Sequence, residues 1–171
     1  MATTQTEKDP LDVLEQSAKP PVEMFLTFRV NQLSNAFERQ WSRYMRKRAG
    51  VSLSEWRILA MLQHGPSTFA NLVEVTDVNK ALLHRSAHSL ASLGFVTISD
   101  TPGDGRSTTL TLTPAGSSLL KEVWPLALAR QKHFLSVLSA REREVLYTVL
   151  HKLRAAAQSW DDELEEGRTS V

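Results

Sequence analysis

Lys80, His84 and Arg85 crowd into the first turns of the stretch Asn79–Leu93, and Arg106 follows the turn-forming run Thr101-Pro102-Gly103-Asp104-Gly105. Lysine and arginine donate hydrogen bonds to phosphate oxygens, and arginine can also grip a guanine edge in bidentate fashion. Ala81 and Leu82, between the cations, suit contact with a thymine methyl. A basic side chain on a hairpin tip can enter a narrow minor groove, where the negative potential is enhanced. Asp104, two residues before Arg106, is placed to orient its guanidinium. Ser67 and Thr68 are candidates for phosphate contact at the start of another helix, whose first amides favour anions.

These residues need elements to present them. Ser52-Leu53-Ser54-Glu55 is a capping box opening a helix with Trp56, Leu59, Met61 and Leu62, stopped by Gly65-Pro66. Ser67 or Thr68 caps a short helix through Leu72 and Val75, and a tight link at Thr76-Asp77 follows. Asn79 caps the next helix, Lys80 to about Leu93, closed by Gly94, with Leu83, Ala87 and Leu90 expected in the core. The pattern then changes period. Phe95–Ile98 and Thr108–Leu112 read as two strands around a Gly-rich turn. Three short helices and a hairpin make a winged helix-turn-helix, expected over 51–113. The fold class is therefore mainly α with a small β-hairpin (α+β), with flanking N- and C-terminal helices that form a dimerisation region.

The flanks are helical too. From Val22 to Arg48 there is no Gly or Pro, and Phe25, Leu26, Phe28, Leu33, Phe37, Trp41, Tyr44 and Met45 recur at helical spacing. Thr113-Pro114 opens a helix that Pro125 should kink or break before it resumes towards Leu138. Ser139-Ala140-Arg141-Glu142 is a second capping box, starting a helix to about Trp160. These apolar stripes are large for a monomer's surface, so a second copy is expected to cover them. The expected organisation is a flexible arm over 1–21 with a short helical stretch at Leu11–Ala18, dimerisation helices over 22–50 and 114–160, and an acidic tail over 161–171.

Charge follows the same division. The chain has 171 residues and a net charge of +1, but each end holds five acidic residues. Residues 24–160 keep 17 basic against nine acidic residues, which suits a polyanionic partner. With no cysteine, disulfides and thiolate chemistry are excluded. The N-terminus lacks a secretory layout and no apolar run approaches the about 18–20 residues of a membrane span, so a cytoplasmic protein without a membrane partner is expected. No nucleophile elbow, phosphate loop or His-Glu-x-x-His is present, so an enzyme is not expected. Glu142 and Glu144 resemble a carboxylate pair but belong to the first turn of a helix, where acids are stabilising. His84 and His88 have the i, i+4 spacing of a zinc clip, yet no Glu or Cys accompanies them, so neither metal nor cofactor is expected.

The residues resemble the MarR family of bacterial transcription regulators. Leu53-Ser-Glu-Trp-Arg-Ile-Leu59 resembles the family's second helix. Val78-Asn-Lys-Ala-Leu-Leu-His-Arg85 with Leu90 and Leu93-Gly-Phe-Val96 resembles its recognition helix and the exit into the wing. Asp104-Gly105-Arg106 resembles the wing-tip Asp-x-Arg, and Leu112-Thr-Pro-Ala-Gly116 the opening of the fifth helix. The resemblance implies a homodimer on double-stranded DNA with a palindromic operator, read by Asn79, Lys80, Ala81, Leu82, His84, Arg85 and Arg106. It also implies a repressor released by a small, often aromatic or phenolic, effector. Asn79, Ala81, Leu82 and His84 depart from the common family pattern, so base preference is not carried over. Phe37, Trp41, Tyr44 and Trp56, with Arg29, Asn31, Arg43 or Arg46 as polar partners, are the candidate effector pocket. Two other functions fit the same elements: a winged-helix module that binds protein, and an activator or architectural DNA binder without a ligand.

Overall fold

The computed structural model describes residues 9–76, 78–101 and 104–165, and the side chains at 101, 104–107 and 161–165 lie outside that description. The element order is α1 (Pro10–Gln16), a 3-10 turn (Val22–Met24), α2 (Leu26–Ala49), α3 (Leu53–Met61), β1 (Ser67–Thr68), α4 (Phe69–Thr76), α5 (Lys80–Ser92), β2 (Val96–Thr101), β3 (Asp104–Leu112), α6 (Pro114–Ser136) and α7 (Ala140–Glu165). The chain divides into two compact units, Met1–Leu120 and Lys121–Val171. Residues 1–8 of the expected arm, Asp77 of the expected link, Pro102-Gly103 of the turn, and 166–171 of the acidic tail fall outside the described residues.

The first unit follows local chemistry closely. The α3 start is a true capping box: the Ser52 amide donates to Glu55 Oε2 at 2.5 Å and the Glu55 amide to Ser52 Oγ at 3.3 Å. Asn79 Oδ1 accepts from the Ala81 amide at 2.9 Å and so caps α5. The core is apolar and continuous in composition: Met45, Val51, Ile58, Leu59, Leu72, Leu83, Ala87, Leu90 and Leu110 are all buried. Leu83, Ala87 and Leu90 lie on one face of α5 at helical spacing, which turns the opposite face outward. Glu38 on α2 accepts a hydrogen bond from the Arg57 guanidinium on α3, an exposed pair of small energetic weight.

The exit from α5 is tightly specified. Gly94 has φ 75°, a left-handed conformation glycine adopts without penalty. The Gly94 amide donates to the Ala91 carbonyl and the Phe95 amide to the Leu90 carbonyl, both at 2.9 Å, a Schellman cap. The Thr113 hydroxyl then donates to the Gly94 carbonyl at 2.7 Å and accepts from the Gly116 amide at 3.0 Å. The Thr113 amide donates to the Phe95 carbonyl at 3.0 Å. The end of α5, both strands of the wing and the start of α6 thus meet within one small set of bonds.

Several expectations need correction. The expected continuous helix from Val22 is interrupted: Val22–Met24 is a 3-10 turn, and Phe25 is extended at ψ 128° before α2 begins. An i, i+3 turn keeps nearly the same apolar spacing as an α-helix, so periodicity alone does not reveal the break. The sheet has three strands in the order β1-β3-β2, not two. Ser67 pairs with Leu110 and Thr68 with Thr109, a two-residue strand fixed by its long-range partner. Pro125 does not divide α6. Pro125 and Lys121 are both exposed, so the Lys121 carbonyl that loses its donor can bond water instead. Residues 161–165 contain no Gly or Pro, and α7 continues to Glu165 instead of ending near Trp160.

In the second unit the Ser139–Glu142 box opens α7. The Ser139 amide donates to Glu142 Oε2 at 2.7 Å and the Glu142 amide to Ser139 Oγ at 3.3 Å. Hydrogen bonds from the Ser139 side chain and backbone hold the Glu142 carboxyl below its ordinary value. The Arg143 guanidinium donates to the carbonyls of Leu135 and Leu138 and closes the α6–α7 corner. No helix among the described residues is long and apolar enough to cross a membrane.

A Cβ built on Gly116 would lie 2.0 Å from the Phe95 carbonyl oxygen. Gly116→Ala is expected to force the α6 start away from Phe95 and destabilise the protein by about 1–3 kcal/mol, measured by urea unfolding. Unchanged stability would show that this close approach does not hold the wing exit.

Candidate nucleic-acid interface

Five predicted contact residues on α5 (Lys80, Ala81, Leu82, His84 and Arg85) are exposed, as is the capping Asn79. Their intervening partner Leu83 is buried, so the face is set by helical period and not by composition. The face carries two full cations, an imidazole and two apolar contacts within its first two turns. That set can serve phosphate, base-edge acceptors and thymine methyls together. The α5 N-terminus is where a helix-turn-helix places base-reading residues.

Ser67 and Thr68 sit where α4 begins. Thr68 Oγ1 accepts from the Asn71 amide at 3.2 Å and Ser67 Oγ from Asn71 Nδ2 at 2.8 Å. Thr68 thus caps the start of α4 while Ser67 Oγ holds the Asn71 side chain, and a hydroxyl that accepts can still donate to a phosphate.

The wing is β2 and β3. Their register runs from Val96 opposite Leu112 to Asp100 opposite Thr108, then shifts, so that Thr101 faces Asp104. Gly105, Arg106 and Ser107 are the extra residues on β3 at that shift, which is the form of a bulge. The side chains of Arg106 and Asp104, and so the expected pairing between them, fall outside the described residues.

The candidate effector residues are only partly brought together. Trp41 and Trp56 are buried and meet edge to face, with centroids 5.2 Å apart, and Tyr44 stacks on Trp41 at 5.5 Å. Phe37 is partly exposed one turn earlier on α2. Arg29 and Asn31 stand 12 and 10 residues before Trp41 on the same helix. The helical rise separates them from it by about 15–18 Å, so they do not serve the aromatic cluster within this chain. Asn31 instead borders a shallow hollow with Val22, Phe25 and Phe28.

A different hollow is lined by residues distant in sequence. A cleft of about 950 Å³ lies between α4, α5 and the sheet, with Phe69, Val73, Lys80, His84, His88 and Asp100 among its walls. The His84 ring stands 5.3 Å from the Phe69 ring and 4.4 Å from the His88 ring. The i, i+4 spacing of the two histidines was visible in the sequence; the approach of Phe69 from another helix was not. Among the described residues no group of three or more His, Cys, Asp or Glu is arranged to hold a metal ion.

Helices α3, α4 and α5 with a three-stranded antiparallel sheet make a winged helix-turn-helix fold. Residues 49–107 match the model of the MarR family. The chain is similar to the HTH-type transcriptional repressor NicR of Pseudomonas putida, with 27% identity over 124 residues, 71% of this chain and 78% of that protein. Its fold is similar to a MarR family transcriptional regulator from Streptomyces coelicolor solved in complex with DNA, with TM-score 0.71 and 18% identity over 80% of this chain and 92% of that one. It is also similar to BpsR of Bordetella bronchiseptica, described with the regulation of its DNA binding by 6-hydroxynicotinic acid, with TM-score 0.69 and 18% identity over 78% of this chain and 96% of that one. Residues 49–107 are thus similar to the MarR family of transcription regulators, and the fold of the chain is similar to that of MarR family structures.

Proposed function

We propose that the protein is a sequence-specific DNA-binding regulator that works as a homodimer and represses transcription until a small effector releases it. The observation that carries this reading is the division of α5: Leu83, Ala87 and Leu90 are buried, while Lys80, Ala81, Leu82, His84 and Arg85 are all exposed. A helix anchored in this way can lie in a major groove with its cations outward. Arg106 at the β2–β3 tip reaches the flanking minor groove, oriented by Asp104, and Ser67 and Thr68 meet the phosphate backbone.

Dimerisation is supported by exposed apolar faces on α2 and α7. Leu26, Val30, Leu33 and Phe37 on α2 are exposed and spaced four, three and four residues apart, the repeat of a helix–helix seam. Val145, Leu146, Val149 and Leu150 on α7 are exposed as well. A second copy covers these faces and sets two α5 helices against two half-sites of a palindrome. Residues 51–113 then act as the reading head, 22–50 and 114–160 as dimerisation segments, and 1–21 and 161–171 as appendages. The effector reading is supported by the regulation described for BpsR and by the buried Trp41–Trp56 cluster.

Arg106→Ala is expected to weaken operator binding by at least about tenfold with an unchanged far-UV circular dichroism spectrum, the scale of one lost groove contact. Wild-type affinity in that variant would remove Arg106 from the interface. Leu33→Glu and Leu150→Glu are expected to shift the protein from dimer to monomer in light scattering and to abolish tight operator binding. A wild-type protein that is monomeric at micromolar concentration would contradict the dimer.

A further inference from the structure

We infer that Phe69 and His88 are positioning residues that fix the His84 ring for base recognition. The inference rests on the DNA-binding reading and deepens it. His84 is exposed on the reading face, and an exposed imidazole on a helix ordinarily samples several rotamers. Here the ring is flanked on two sides. Phe69 at the start of α4 lies 5.3 Å away with a tilt of 52°, and His88, one turn further along α5, lies 4.4 Å away with a tilt of 39°. Tilted and offset arrangements at these distances are favourable ring contacts.

The three rings come from two helices that the head already holds together. Leu72 on α4 and Leu83 and Ala87 on α5 are buried, so the Phe69–His84 distance is set by the core and not by the surface side chains alone. Confinement matters because an imidazole offers one donor and one acceptor when neutral, each in the ring plane. A hydrogen bond to a purine acceptor in the major groove therefore demands one ring orientation. A ring already held there loses less freedom on binding than a free one. Lys80 precedes His84 by one turn and Asp100 borders the same cleft from β2, so charge near the ring is mixed and does not itself fix the orientation.

The chemistry distinguishes this role from a merely structural one. Phe69 and His88 act on DNA only through His84, so their effect should vanish when His84 is gone. It should also fall on one base pair per half-site and not on affinity for all sequences.

The test is a double-mutant cycle on full-length protein, read by fluorescence anisotropy against an operator duplex selected with the wild type and its single-base-pair variants. His84→Ala should flatten discrimination at one base pair of each half-site. His88→Ala and Phe69→Leu should each lower that discrimination by about three- to tenfold, the equivalent of one side chain to be ordered on binding. In the His84→Ala background neither should have any further effect. His88→Phe, which keeps a flat ring, should restore the discrimination. In the free protein, proton NMR should show His84 ring signals moved upfield by its neighbours and returning in His88→Ala.

Losses from His88→Ala that persist undiminished without His84, or that fall equally on all base pairs, overturn the proposal while leaving DNA binding intact. Unshifted His84 ring signals in the wild type overturn it too. If the wild type selects no duplex, the DNA reading itself has failed, and the proposal with it. His88 is exposed, so His88→Ala tests the idea even if Phe69→Leu loosens the α4–α5 contact.

Discussion

The meeting of α5, the wing and α6 at Gly94, Phe95, Thr113 and Gly116 is the constraint on which the reading head depends. Gly94 supplies the left-handed turn, and the Phe95 carbonyl is approached both by the Thr113 amide and by a residue that must lack a Cβ. These contacts fix where β2 leaves α5 and where β3 returns. Without them the wing would be an isolated hairpin, which is marginal in water on its own. With them, and with β1 pairing along β3, the paired strands of the wing are tied to the end of α5.

Much of this was legible from local chemistry. Ser52–Glu55, Asn79, Gly94 and Ser139–Glu142 act within a few residues, and each sits in the structure as its pattern implies. The buried face of α5 followed from a 3.6-residue period. What was hidden depends on partners distant in sequence. β1 is two residues long and exists only because Leu110 and Thr109 lie beside it. Phe69 meets His84 across 15 residues of chain, and no local pattern announces that contact. The break at Phe25 was masked because a 3-10 turn preserves apolar spacing. Arg29 and Asn31 looked like partners of Trp41 in a list of residues, but the rise of α2 keeps them apart.

The electrostatics of the head are balanced, not strongly basic. Lys80 and Arg85 on α5 face a surface that also carries Asp100 on β2. A head of this kind gains little from bulk attraction, so under the proposed function affinity would come from placed contacts and from two heads acting at once. The symmetry of the proposed dimer would double a modest interface without new contacts in either copy. Under the same proposal ring placement at His84 would matter: where charge gives little, orientation would decide which sequences are held.

The central claim is that α5 reads sequence and does not merely attract a polyanion. The most direct measurement is the anisotropy-based affinity of the wild-type protein for a selected palindromic duplex and for the same duplex with scrambled half-sites, followed across a salt series. The account predicts that the selected site is bound at least about a thousandfold more tightly at moderate salt, with both affinities falling as salt rises. Equal affinity for the two duplexes, or no binding to either at low salt, would contradict it.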